Sequence, residues 1–156
     1  MTHPGTELDL EIRDVPGETF AFVVRRVPPG QAGEFIGGAI ARVEHFARAR
    51  GGVVGPPFSI SSAPDDEGEL AIEAGWPVLP GTEPEPPVEV RTLPPTRALV
   101  LRHVGPYEEL DGAFYAELLA RAHGLGLQPV GGPRERYLVA PGPDWEPVTE
   151  VVWPVA

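Results

Sequence analysis

The sequence predicts an α+β domain made of duplicated β-α-β-β units, with an antiparallel sheet, helices on one face and a groove between the halves. Three observations carry that prediction. The chain of 156 residues has the size of one domain, and 42% of it is hydrophobic, enough for a packed core. Its 19 glycines and 21 prolines punctuate periodic segments and do not pool in one tail. The chain also repeats itself 77 residues apart. Glu73-Ala74-Gly75-Trp76-Pro77-Val78 returns as Glu150-Val151-Val152-Trp153-Pro154-Val155, and Ala21, Val23, Arg25, Val27 and Pro29 return as Ala98, Val100, Arg102, Val104 and Pro106. Of the 70 pairs aligned, 17 are identical, where composition alone gives about 6. A one-residue slip at the first turn aligns Glu11, Arg13 and Pro16 with Glu89, Arg91 and Pro94. One domain over 1–156 is therefore expected, with repeats at about 8–79 and 87–156 and a proline-rich acidic linker at 79–87.

Each element has its own reason. Leu8 to Arg13 alternates apolar and polar residues, the pattern of a half-buried strand. Val15-Pro16-Gly17-Glu18 is a turn, and Phe20 to Val27 is rich in β-formers. Pro28-Pro29-Gly30 ends that strand. Phe35, Ile36, Ala39, Ile40, Val43 and Phe46 then follow helical spacing up to Gly51-Gly52. Phe58 to Ser62 and Glu69 to Trp76 are strands around an acidic turn. The second copy gives strands at Val88 to Leu93 and Ala98 to Val104. A helix follows over Tyr107 to Ala122, with Leu110, Phe114 and Leu118 on one stripe. Strands at Tyr137 to Ala140 and Val148 to Val155 complete the copy.

Composition excludes several chemistries. All 12 basic residues are arginine, and the chain has no Lys, Cys or Asn. Schiff-base chemistry, thiol nucleophiles, disulfides and cysteine metal sites therefore fall away. A net charge of −11 argues against a nucleic-acid partner and suits a cationic or neutral one. Met1 to Asp14 shows neither the basic nor the apolar region of a signal peptide, and no run is long and apolar enough to span a membrane. A cytoplasmic location is expected.

Arg102-His103-Val104-Gly105-Pro106-Tyr107-Glu108-Glu109-Leu110 resembles the strand-to-helix signature of the GyrI-like effector-binding domains. Glu150 to Val155 is similar to that family's closing strand, and Glu73 to Val78 to the matching strand of the first half. The resemblance runs from about Leu8 to Val155. It implies a small-molecule cleft between the halves, with planar, aromatic, often cationic ligands. It also implies that some stand-alone members resemble hydrolases of cyclopropane-bearing DNA-alkylating natural products. The sequence begins at the first strand and leaves no room for a helix-turn-helix, so a stand-alone form is expected.

The candidate site residues follow from strand position and from that resemblance. Glu150, in an apolar strand, is the first candidate anchor for a cation or general acid or base; an internal arginine such as Arg102 would equally satisfy it. Glu73 is its repeat mate. Tyr107 opens a helix and has a hydroxyl to offer Glu150 or a ligand, and Tyr137 lies in a strand. Trp76 and Trp153 fall on the face opposite the two glutamates, either as core or as a pair of indoles around a flat ligand; Trp145 is a rim aromatic. His103 is a candidate proton shuttle. His3, His45 and His123 have no metal spacing, so neither metal nor cofactor is expected. Three functions follow in order: capture of an aromatic or cationic small molecule, cofactor-free hydrolysis by Glu150, Glu73, Tyr107 and His103, and an acidic gyrase-inhibitor-like interaction module. A monomer or weak homodimer fits the internal duplication.

Overall fold

The computed structural model describes residues 10–156. The expected strand residues Leu8 and Asp9, and His3, lie outside the described residues. Ten elements follow in order: β1 (Glu11–Val15), β2 (Glu18–Val27), α1 (Ala32–Arg48), β3 (Phe58–Ser61), β4 (Leu70–Val78), β5 (Glu89–Leu93), β6 (Thr96–Val104), α2 (Gly112–Gly124), β7 (Arg134–Val139) and β8 (Val148–Val155). All the strand pairings below are antiparallel, and the class is α+β.

The chain forms two compact units. One gathers Thr96–Ala156 and takes in β1, with strand order β1-β6-β8-β7. The other is Pro16–Pro95, with strand order β3-β4-β2-β5. The first strand of each repeat has thus been exchanged. β1 pairs with β6, Arg13 opposite Ala98, while β5 pairs with β2, Arg91 opposite Phe20. Exchanging the first strands gives both units four strands and one helix.

Alternation along each strand sorts side chains onto two faces. In the Thr96–Ala156 unit Leu99, Leu101, Val151, Trp153 and Val155 pack with Leu118 and Ala122 of α2. Ala98, Val100 and Val152 face the other way and are buried with Val15. In the Pro16–Pro95 unit Ala21 and Val78 pack under Val43, Phe46 and Ala47 of α1. Phe20, Phe22, Phe58 and Leu93 form the opposite face. Gly75 is required there, because a Cβ would lie 1.9 Å from the Ala21 carbonyl oxygen.

Three local expectations change. β1 is largely exposed, Ile12 included, and pairs only with β6 among the strands. The second helix starts at Gly112, not Tyr107. Tyr107–Glu109 is a separate 3-10 turn, and the Asp111 carboxylate caps α2 by accepting from the Phe114 amide at 2.9 Å. The seventh strand starts at Arg134, three residues before Tyr137. The slip between the repeats also lies elsewhere. Ala21 pairs with Trp76, but it is Leu99, not Ala98, that pairs with Trp153. The identities at offset 77 in β2 and β6 therefore sit on opposite faces, as a one-residue slip must make them.

Candidate functional site

Glu150 and Glu73 occupy matching places, each with an arginine from an exchanged strand. Arg13 of β1 donates to Glu150 Oε2 at 2.8 Å, and Arg102 Nε lies 3.8 Å from the same oxygen. Arg91 of β5 donates to Glu73 Oε1 at 2.5 Å. The two carboxylates fasten β1 and β5 to the sheet, on the face away from the helices.

Trp76 and Trp153 are on the helix-covered faces. Each indole N–H donates to a backbone carbonyl, Trp76 to Ile40 at 2.8 Å and Trp153 to Gly131 at 3.0 Å. Both rings pack on core clusters. Trp145 is exposed, its N–H donates to the Ala140 carbonyl at 2.8 Å, and its ring lies over Gly142 where a Cβ would be 2.2 Å away.

The residues that do come together belong to the Thr96–Ala156 unit. Tyr107 does not reach Glu150. Its ring meets the Tyr137 ring edge-on, with centroids 5.5 Å apart, on the face that α2 covers. The carboxylate beside these rings is Glu135 of β7. It accepts from the Tyr115 hydroxyl of α2 at 2.5 Å and from the Tyr137 hydroxyl at 3.2 Å. Glu135 pairs with Val151 in register, so β8 sets it on the same face as Trp153, whose ring meets Tyr115 at 5.9 Å. Tyr107 keeps 38% of its surface exposed and forms an open aromatic wall. His103 stands on the same face, one strand beyond β8, with Nε2 3.0 Å from Glu109 Oε1.

Enclosure governs the electrostatics. Burial pushes the Glu135 carboxyl above its ordinary value; the two tyrosine hydroxyls and the nearby His103 pull the other way, since each favours the ionised form. Burial and the neighbouring Glu135 charge push the Tyr115 phenol well above its ordinary value, and they raise Tyr107 for the same two reasons. The phenols are therefore proton donors throughout the neutral range. The arrangement is a half-buried carboxylate with aromatic walls, suited to holding a positive charge on a flat or aromatic body. Among the described residues no group of three His, Asp or Glu is placed to hold a metal ion. No described helix is long and apolar enough to cross a membrane.

Sequence reasoning passed over Glu135, Tyr115 and Glu109. The expected strand begins at Tyr137, which leaves Glu135 outside it. The available signal was alternation: Glu135 and Tyr137, two apart, share one face of a strand. Tyr115 sits one residue beyond Phe114 of the expected stripe, and only the packing of α2 on β7 brings it to Glu135.

The model of the GyrI-like small molecule binding domain matches residues 8–156, essentially the whole chain. No curated protein matches the chain. Among solved structures, the C-terminal domain of EcmrR is similar at a TM-score of 0.76 and 21% identity, covering 94% of this chain and 96% of that one. Against the EcmrR chain in its DNA complex the TM-score is also 0.76, at 19% identity, and this chain spans 56% of that longer one. SAV2435 bound to tetraphenylphosphonium gives 0.60 at 15% identity, covering 95% and 94% of the two chains. A hydrolase from Listeria innocua gives 0.62 at 18% identity, covering 95% and 92%. The fold is shared by all of these, and the chain belongs to the GyrI-like small-molecule-binding domains.

Proposed function

We infer that the protein captures aromatic cations at Glu135, with Tyr107, Tyr115 and Tyr137 as its walls and hydrogen-bond donors. One observation carries this reading: a half-buried carboxylate, held by two phenol donors, lies beside an exposed tyrosine ring. A carboxylate in such a place is costly to keep ionised, and a bound cation offsets that cost. The ring faces add quadrupole attraction and apolar area. SAV2435, a protein of the same fold, binds tetraphenylphosphonium, which supports this ligand class. Glu73 and Glu150 enter this reading as strand fasteners, each already bound by an arginine.

The test is a titration with tetraphenylphosphonium and with an uncharged aromatic of similar size. Glu135→Gln keeps the shape and removes the charge. The cation is expected to lose about tenfold or more in affinity, roughly one charge-assisted contact, while the neutral ligand changes by less than about twofold. Equal losses for both ligands would sink the charge role.

A second reading is supported by the raised Glu135 carboxyl and by the hydrolase of the same fold. A carboxyl that holds its proton nearer neutrality is suited to passing it to or from water and a strained ring. Substoichiometric protein incubated with a cyclopropane-bearing alkylator decides it by mass spectrometry. A water adduct formed over many turnovers, and lost in Glu135→Gln, makes the site catalytic. Unchanged alkylator leaves it a binding site.

A further inference from the structure

Trp153 is held at its polar tip and along its ring. The indole N–H donates to the Gly131 carbonyl at 3.0 Å. Gly131 sits at φ +70°, a conformation that glycine takes readily. The turn that carries it is tied to the end of β8. The Val130 amide donates to the Pro154 carbonyl at 2.8 Å, and the Ala156 amide to the Gln128 carbonyl at 2.9 Å. The Trp153 side chain is buried and packs with Leu99, Val151 and Val155. An indole with its N–H bonded and its ring packed keeps one rotamer.

Across from this indole stands Tyr115 of α2. The two rings meet edge-on at 84°, with centroids 5.9 Å apart, and Phe114 meets Tyr115 in the same manner at 89° and 5.0 Å. Two edge contacts leave the phenol ring little room to turn. Its hydroxyl donates to Glu135 Oε2 at 2.5 Å, whereas the Tyr137 hydroxyl donates to the other oxygen at 3.2 Å. At a carboxylate the shorter bond is the stronger one. The repeat mate supplies a comparison. Trp76 also has its N–H bonded, to the Ile40 carbonyl, and packs on the cluster of Val43, Phe46 and Ala47. Two residues before Trp76, Ala74 opposes Ser59; two residues before Trp153, Val151 opposes Glu135. Trp76 thus holds the same strand position with a serine where Trp153 has the carboxylate.

We propose that Trp153 is a positioning residue of the cation site: through the Tyr115 ring, its indole keeps the phenol hydroxyl on Glu135. Without the indole the phenol ring gains room to rotate about its Cα–Cβ bond, and the hydroxyl at the far end of the ring moves furthest. Glu135 then keeps only the longer of its two tyrosine bonds. A carboxylate with one donor fewer is less well oriented and less well stabilised in its charged form. The indole acts through Tyr115 and needs no contact with the ligand. Its effect on affinity rests on Glu135 as the ligand anchor; its placement of the hydroxyl does not.

Two measurements on the full chain test this. The first needs no ligand. An enclosed phenol proton bonded to a carboxylate exchanges slowly with water, so the Tyr115 hydroxyl proton is followed by NMR and identified by its loss in Tyr115→Phe. Its exchange is expected to quicken about tenfold or more in Trp153→Phe and by less than about twofold in Trp76→Phe. An unchanged rate in Trp153→Phe, equal quickening in both variants, or no protected hydroxyl in wild type overturns the positioning. If Trp153→Phe fails to fold, the native indole is read instead. With 5-fluorotryptophan incorporated, and the other two signals assigned by Trp76→Phe and Trp145→Phe, the Trp153 fluorine signal is expected to move in Tyr115→Phe while the Trp76 signal stays. A Trp153 signal that stays overturns the coupling. The second measurement is titration with tetraphenylphosphonium and with an uncharged aromatic of similar size. Trp153→Phe is expected to lose about fivefold in affinity for the cation and less than about twofold for the neutral ligand. It should lose nothing further once Tyr115→Phe is present. Trp76→Phe should leave both affinities within about twofold of wild type, although both variants give up a packed indole and should melt earlier. Losses that add in the double variant, or a loss as large in Trp76→Phe, overturn action through Tyr115. Failure of wild type to bind the cation overturns Glu135 as the anchor, while hydroxyl exchange still decides whether Trp153 places Tyr115.

Discussion

Where one unit carries His103, Thr149, Tyr137 and Glu135, the other carries Arg25, Ile72, Ser61 and Ser59 at the matching register positions. That row holds a carboxylate, an imidazole and a phenol in the first, and an arginine, an isoleucine and two serines in the second. The reverse faces differ in the opposite sense. The Pro16–Pro95 unit stacks Phe20 on Phe58 at 4.1 Å and on Phe22 at 5.0 Å. The matching positions of the other unit hold Ala98, Arg134 and Val100, all buried. A carboxylate, an imidazole and three phenols between a sheet and its helix are expensive to enclose. Duplication separates the two faces: one copy stacks phenylalanines on the face away from its helix, and the other carries on its helix-covered face the groups proposed to meet a ligand.

The largest expected effect tests that separation. Phe58 is fully buried between strands, so Phe58→Ala should lose about 3–5 kcal/mol in chemical denaturation. Tetraphenylphosphonium affinity, measured far below the transition, should stay within about twofold of wild type. Tyr115→Phe should do the reverse. It removes a donor to Glu135 and weakens the cation site, while its apolar packing and most of the stability remain. Loss of binding in folded Phe58→Ala protein would break the comparison.

A smaller contrast concerns the two strand fasteners. Glu150 keeps 13% of its side chain exposed and Glu73 24%. Removing Arg13 or Arg91 withdraws the nearest positive charge from its carboxylate, at a cost that grows with burial, although Arg102 at 3.8 Å keeps part of the compensation at Glu150. Arg13→Met should therefore cost about 2 kcal/mol and Arg91→Met about 1. Hydrogen exchange should quicken first in β1 and β5 respectively. If Arg91→Met proves the more costly, burial does not rank these pairs.

The sequence showed the duplication, the helix and strand order and the two repeated glutamates, because each leaves a local trace: an identity, a period or a turn. It did not show the exchange of β1 and β5. Strand partners depend on register between segments about eighty residues apart, and register writes no local pattern. The repeat slip was placed at the first turn because Glu11 and Glu89 align there, yet the faces of Ala21 and Ala98 put it after the second strand. Glu150 looks like an anchor because an acid among valines is conspicuous, and Glu73 because it is the repeat mate of Glu150. Glu135, between two arginines, lies outside the strand expected from Tyr137. Its role depends on Tyr115, twenty residues earlier on another element, and no spacing rule joins the two.

The smallest expected effect isolates the titration of that carboxyl. Burial raises the Glu135 pKa above the ordinary 4.5 in the folded chain, while the unfolded chain keeps the ordinary value. Between those two values the folded state binds the proton more strongly than the unfolded state does. Stability must then fall as pH rises through this window, and it levels off once both states are ionised. Glu135→Gln has no proton to lose. The thermal midpoint of wild type, taken relative to Glu135→Gln, should therefore decline from pH 4.5 upward and become flat above the raised value. The slope stays modest because two phenols already stabilise the ionised form. Tyr115→Phe removes one of them and should steepen it. The Pro16–Pro95 unit has Ser59 in the place of Glu135, so Ser59→Ala should leave the pH dependence unaltered. A difference curve that rises with pH would mean that the tyrosines and His103 outweigh enclosure, and that Glu135 is held ionised even without a ligand.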